Sequence, residues 1–288
     1  TMKIITSKKE ITYYISSLKK SNTKISFIPT MGNLHDGHLS LIKSSEDYDA
    51  IKIVSLFVNP LQFNNKEDFE NYPSTIEKDI KTLQKHNIDC LFMPNKNEIL
   101  SKDFESIKLP SGFNNLLCGK YRERHFEGVY IIVKKLLDII IPNYIFFGEK
   151  DYQQLLLIKY IYQNFYKNIN NFSIIACPII RDITGLALSS RNNLLNNTQR
   201  TLASKTISDI KKNLINSKEP LNSNNFQDLI LSVENNEISI EYIESWDLSN
   251  LHLQHGLANI EKDLNNKKRI FLAIYVGKVR LIDNFEIQ

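Results

Sequence analysis

The chain has 288 residues, 42% of them hydrophobic, and its 36 basic and 32 acidic side chains leave a formal charge of +4. That much Ile, Leu and Phe can bury a large core, which excludes disorder as the main state. So small a surplus of charge gives no support to a nucleic-acid surface, and the one tight basic tract, Lys267-Lys268-Arg269, is too short to hold a phosphate backbone. The greasiest stretch, LLDIIIPNYIFF (136–147), is broken by Asp138 and Pro142 and falls short of the roughly 18–20 apolar residues of a membrane span. The opening TMKIITSKKEITYY carries scattered lysines and no small-residue cleavage pattern. Three cysteines, Cys90, Cys118 and Cys177, lie far apart with no CxxC, so neither a disulfide framework nor a zinc site is expected. The expectation is a cytoplasmic protein with no nucleic-acid or membrane partner.

In chain order, KISFIP (24–29) is short and almost continuously apolar, as a strand buried on both faces must be. A helix is predicted over 38–47 and a second such strand in IKIVSLFV (51–58). A helix over 74–86 follows, entered through Pro73 with Ser74 as its cap. IDCLFM (88–93) and NYIFF (143–147) are further strands, separated by a helix over 128–140. The helix over 151–166 opens on Asp151, where negative charge is favoured, and FSIIACPII (172–180) is the fifth strand. This alternation predicts right-handed crossovers and an α/β fold, a Rossmann-like doubly wound parallel sheet. Beyond about residue 180 come helices over 198–216 and 224–233, then strands EISIEYIESW (237–246), RIFLAIYVG (269–277) and VRLID (279–283). The expected division is a larger Rossmann-like domain, 1–180, and a smaller C-terminal α+β domain, 181–288.

Glycine is scarce, with nine residues, yet Gly32 and Gly37 stand five apart in PTMGNLHDGHLSLI (29–42), after a strand and opening a helix. His38 and Leu39 occupy the places where a P-loop needs Lys and Ser/Thr, so this is not one. Free amides at a helix start attract phosphate all the same. His35 and His38, three apart on the first turn, are placed to donate to phosphate oxygens and, when protonated, to oppose their charge. SLFVNPLQF (55–63) ends a strand with Asn59, Pro60 and Gln62, at the carboxyl end where open α/β sheets bind ligands. FFGEKDYQQLLLI (146–158) repeats the arrangement, with Gly148, Glu149, Lys150 and Asp151 ahead of Gln153 and Gln154. Lys150 is placed to neutralise a phosphate, and either Asp151 or Glu149 to hold a metal or a ribose hydroxyl.

In LALSSRNNL (186–194), Ser189, Ser190 and Arg191 offer hydroxyls and a guanidinium to a polyphosphate, though alone the segment also reads as a polar loop between domains. CGKYRERHFEGV (118–129), with Arg122, Arg124, His125 and Gly128, is equally open. No activated Cys and no Ser–His–Asp set accompanies these clusters. The inventory suits phosphoryl or adenylyl transfer by positioning and charge stabilisation.

PTMGNLHDGH resembles the HxGH signature of the class I nucleotidyltransferases. Taken in order with FVNPLQF, HFEGV, FGEKDYQQL and GLALSSRN, the chain resembles the pantothenate synthetase (pantoate–β-alanine ligase) family, and VGKVRLIDN (276–284) is similar to that family's last strands. The resemblance implies ATP-dependent joining of (R)-pantoate to β-alanine through a pantoyl-adenylate, releasing AMP and diphosphate, in coenzyme A precursor biosynthesis. It implies that ATP is bound by Met31, Gly32, Asn33, Leu34, His35, Asp36, Gly37 and His38, by Gly148, Glu149, Lys150 and Asp151, by Ile180, and by Leu188, Ser189, Ser190 and Arg191. His38, as proton donor, acts with His35, Lys150 and Arg191, while Gln62 and Gln154, supported by Asn59, bind pantoate. Mg2+ accompanying ATP, a homodimer and a C-terminal domain that closes as a lid are implied too, with no protein metal ligand assigned. SWDLSN (245–250) departs from the Asp-Pro-rich turn of relatives and leaves the lid contacts open. Two other readings stand: an adenylyltransferase leaving AMP on a phosphorylated acceptor, against which Asn59, Gln62 and GEKDYQQ argue, and a nucleotide-binding regulatory or RNA-contacting protein.

Overall fold

The computed structural model describes all residues except 1, 65–68, 101–106, 216–222, 259–263, 265 and 288. Its strands are β1 (Lys3–Ile5), β2 (Ile25–Thr30), β3 (Ile51–Leu56), β4 (Cys90–Phe92), β5 (Tyr144–Gly148), β6 (Ser173–Cys177), β7 (Ile238–Asp247), β8 (Lys268–Val276) and β9 (Val279–Ile287). The longer helices are α1 (Lys8–Lys20), α2 (Asp36–Ser45), α3 (Ile76–Gln84), α4 (His125–Ile140), α5 (Tyr152–Ile161), α6 (Asn197–Ile215), α7 (Ser223–Val233) and α8 (Leu248–Gln254).

The apolar runs form a six-stranded parallel sheet in the order β1-β4-β3-β2-β5-β6. Its strands are buried on both sides, as unbroken apolar runs require. Phe27, Ile53, Phe92 and Ile145 pack with α1, α4 and α5, whereas Ile28, Val54, Leu91 and Phe146 pack with α2 and α3. The chain winds outward from β2 through β3 to β4 on one side and from β5 to β6 on the other. The order therefore switches between β2 and β5, and ligands bind in the crevice beyond the carboxyl ends of such strands.

The second sheet is antiparallel, ordered β7-β8-β9. One face packs Ile270, Leu272 and Ile274 against Ile207 and Ile210 of α6 and Leu229 of α7. The other lays Tyr242, Phe271 and Ala273 on the core of the larger body. Gly277, at φ +57, turns the hairpin from β8 into β9, a conformation glycine takes without strain.

Several elements differ from the sequence expectation. β1 and α1 were not predicted: KII is three residues long, and α1 buries only Ile11 and Ile15. Ser74 does not cap α3; Thr75 stands at that position, and its hydroxyl donates to Asp79 at 3.0 Å. α4 begins three residues early and stops at Ile141, left-handed at φ 47, ahead of Pro142. β9 runs four residues past its predicted end. Among the described residues no helix is long and apolar enough to cross a membrane, and all three cysteines are buried and free.

Candidate active site

β2 ends at Thr30, and the chain enters α2 through two successive left-handed residues, Gly32 (φ +81) and Asn33 (φ +51). Gly32 adopts this freely, and Asn is among the few side chains that tolerate it. The amides of Asn33 and Leu34 both donate to the carboxylate of Asp79, at 2.8 and 2.9 Å, and Gly32 donates to Thr30 Oγ1 at 3.3 Å. His35 then caps α2: its Nδ1 accepts from the Gly37 amide at 3.1 Å, while its own amide donates to His38 Nδ1 at 3.4 Å. The amides of Gly32, Asn33, Leu34, His35 and Gly37, in the loop expected to cradle a phosphate, are thus already paired within the protein.

Because both Nδ1 atoms accept, each neutral imidazole carries its proton on Nε2. Loss of water, then the charge of Lys150, pulls His35 down to about 4; loss of water, then His35, pulls His38 down to about 3. Near neutral pH both rings are neutral N–H donors, so of the two contributions considered from sequence only the neutral hydrogen bond is on offer there.

The opposite wall is built on Asn59 and α4. Asn59 is 2% exposed; its Oδ1 accepts from the Leu61 amide at 3.0 Å, and its Nδ2 donates to Gly128 O at 3.0 Å and Gln62 Oε1 at 3.1 Å. Asn59 is therefore spent on the turn, and it leaves the amide nitrogen of Gln62 for a ligand. His125 Nδ1 donates to Gln62 O at 2.8 Å, and its Nε2 accepts from Arg122 at 3.2 Å. Burial, then Arg122, holds this imidazole well below its ordinary range, which agrees with a neutral ring used to brace Gln62.

Beyond β5, Lys150 Nζ stands 3.5 Å from Asp151 Oδ2. Crowding by the protein would raise the Asp151 carboxyl, but the charge of Lys150, joined by those of Arg122 and Arg191, outweighs it and holds the group low. Ser189 caps the turn that carries Arg191, accepting from its amide at 3.3 Å. The Ser190 hydroxyl donates to Asn33 O at 3.3 Å, tying this loop to the histidine turn.

These segments surround one cavity of ≈ 240 Å³. Of the residues singled out in the sequence, Met31, His35, Gly37, His38, Asn59, Gln62, Gly148, Lys150, Asp151, Gln154, Ile180, Leu188, Ser189, Ser190 and Arg191 line it. Gly32, Asn33, Leu34, Asp36 and Glu149 do not. The first three shape the turn from below, Asp36 is exposed at the start of α2, and the Glu149 carboxylate faces Arg269 at 3.5 Å. Gln153, beside Gln154, points away, donating to His255 Nε2 at 3.0 Å. Tyr72 lines the cavity without having been singled out, as does an apolar wall of Val129, Ile132, Val133 and Leu136 on α4. Among the described residues of these walls, Lys150, Arg191 and Arg122 face a single carboxylate, Asp151, a balance suited to a polyanion.

A family model described as pantoate-beta-alanine ligase matches residues 3–286. A pantothenate synthetase of Francisella tularensis subsp. mediasiatica is 39% identical, over 91% of this chain and 89% of that protein. One from Buchnera aphidicola subsp. Acyrthosiphon pisum is 39% identical over 99% of both. Among solved structures, the pantoate-beta-alanine ligase of Francisella tularensis, complexed with beta-gamma ATP and beta-alanine, is 37% identical, covers 99% of this chain and 97% of that one, and superposes with a TM-score of 0.83. Pantothenate synthetase from Thermus thermophilus is 27% identical, covers 99% of both chains and gives 0.80.

Proposed function

Because this chain belongs to the pantoate-beta-alanine ligase family, we propose that it condenses (R)-pantoate with β-alanine through a pantoyl-adenylate. The observation that carries the reading is the meeting of His38, Lys150 and Arg191 with Gln62 and Gln154 around one cavity at the switch point of the sheet. A carboxylate does not form an amide at neutral pH unaided, because its oxide is too poor a leaving group. The pantoate carboxylate attacks the α-phosphorus of ATP, and diphosphate leaves; the β-alanine amine then attacks the acyl carbon, and AMP leaves.

The glutamine amides hold pantoate without adding a charge that would dull its carboxylate. Lys150 and Arg191 oppose the charge on the phosphates, and the Nε2–H of His38 donates to the oxygen where charge builds in the transition state. The apolar wall on α4 keeps water from the mixed anhydride. In this reading Met31 to His38, Gly148 to Asp151, Ile180 and Leu188 to Arg191 form the ATP subsite, with residues 1–180 carrying both substrates and 181–288 acting as the lid. Gly32, Asn33, Leu34 and Glu149 serve it from behind the wall, and Asp36 from the exposed start of α2.

Mg2+ fits this donor set in one way: Asp151 supplies a single low carboxylate on the wall, and Mg2+ characteristically takes one or two carboxylates with phosphate oxygens and water. Asp151 would hold it, and the ion would offset charge on the departing diphosphate. A cytoplasmic homodimer belongs to the same reading, supported by family resemblance and checked by sedimentation.

Exchange of labelled diphosphate into ATP tests the reaction. Exchange that requires pantoate, with net AMP formed only when β-alanine is added, is expected. Exchange without pantoate, or none with it, overturns the reading.

A further inference from the structure

Asn284 lies on β9, in the small sheet, and is 2% exposed. Its side-chain nitrogen donates to two successive main-chain carbonyls, Glu149 O and Lys150 O, at 3.0 Å each. Its Oδ1 accepts from Arg269 Nη1 at 2.7 Å. Two donors and an acceptor on so short a stem are the particular property of an asparagine amide.

Asn284 is itself held firmly. Its amide donates to Asp283 Oδ1 at 2.7 Å, and Asp283 receives Arg181 through both oxygens at 2.6 and 2.8 Å. Arg269 continues to Glu286 at 2.9 Å and to the Glu149 carboxylate at 3.5 Å, and it lies 4.9 Å from the centre of the Tyr152 ring. The turn thus gripped has no side-chain cap of its own: neither the Glu149–Asp151 turn nor the start of α5 receives one. The main chain of Lys150 is therefore fixed from the second sheet, some 134 residues along the chain.

We propose that Asn284 is a positioning residue for Lys150, setting the turn from which the ammonium reaches the phosphates; the inference rests on the role given to Lys150 above. A misplacement of about 1 Å in such a group costs on the order of 10²-fold in rate, and two freed carbonyls give the turn that latitude.

A double-mutant cycle tests it, with pantoate-dependent diphosphate exchange as the readout. Asn284→Ala is expected to lower the exchange rate by about 10–100-fold while KM for pantoate stays unchanged. In the Lys150→Ala background the same change is expected to add nothing, because the group it positions is gone. Asn284→Asp changes no volume but sets carboxylate oxygens against two carbonyls; it is expected to lose at least as much, and it carries the cycle if the alanine form does not fold. A Lys150→Ala enzyme with the native rate removes the lysine and the inference together. A slow Lys150→Ala enzyme in which Asn284→Ala still exacts its full loss overturns the inference alone, as does a native rate in Asn284→Ala and Asn284→Asp.

Discussion

His35 and His38 lie 4.1 Å apart between ring centroids, each accepting a main-chain N–H at Nδ1. Neither can offer Nδ1 to the cavity without losing its cap, so both present Nε2–H. His38→Ala should lower the rate of pantoate-dependent diphosphate exchange by about 10²–10³, the loss usual for one positioned donor. His38→Gln, whose amide nitrogen stands close to the place of Nε2, should retain more. Equal rates in the two variants would show that the Nε2–H is not what His38 contributes.

Imidazoles held below their ordinary 6.5 make the fold sensitive to acid. Loss of water is the leading cause at His35 (about 4), His38 (about 3), His255 (about 4) and His125 (well below). Each binds its proton more readily unfolded than folded, so stability is full above pH 6.5 and falls as the pH drops from 6.5 toward 4. Thermal melts between about pH 8 and about pH 4.5 should be flat down to 6.5 and then decline. His255→Gln, remote from the cavity wall, should make that decline shallower. A melting temperature indifferent to acid would contradict the neutral rings.

The parallel sheet was legible because unbroken apolar runs have one natural home, a strand covered on both faces. Lys150 and Gln154 were legible because charges and amides between two apolar elements must emerge at an edge of the sheet. Asp79 was not. In IEKDIKTLQ it reads as one more helix-start charge beside Glu77, and its partners Asn33 and Leu34 lie 46 and 45 residues away. That the Glu149 carboxylate turns from the cavity was hidden for the same reason, since the Arg269 it faces lies 120 residues on. Val129, Ile132, Val133 and Leu136 follow the period of any core helix. That they face a cavity is decided by where the Asn59–Gln62 turn and the end of β2 stop, which periodicity does not encode.

Asp79 gives the histidine turn its shape. Asp79→Asn points an amide at one of two N–H groups, that of Asn33 buried and that of Leu34 partly so, and a buried donor left unmet costs about 1–3 kcal/mol. Chemical denaturation should show a loss of that order, and KM for ATP should rise, because Leu34 leads directly into the capping His35. Thr75→Val removes only the third donor to Asp79, at 3.0 Å, and should produce the same pattern more weakly. A variant Asp79→Asn with native stability and native ATP dependence would mean the turn holds itself.

Gly128 is where α4 closes on the turn that carries Gln62. A Cβ there would stand 2.2 Å from Leu61 O, 2.5 Å from Leu61 C and 2.9 Å from Gln62 N, all main-chain atoms that cannot swing aside. Overpacking of this kind costs about 1–3 kcal/mol, and the relief available is for the turn to back away from the helix. Asn59 Nδ2 then loses Gly128 O, and Gln62 moves with it. Gly128→Ala should therefore melt earlier and raise KM for pantoate more than KM for ATP. Gly148 is the control: it has extended backbone and nothing within 4 Å of a built Cβ, so Gly148→Ala should melt as the native protein does. If both glycine variants melted alike, or if Gly128→Ala left pantoate use intact, the close approach of α4 would not be what holds Gln62 to its substrate.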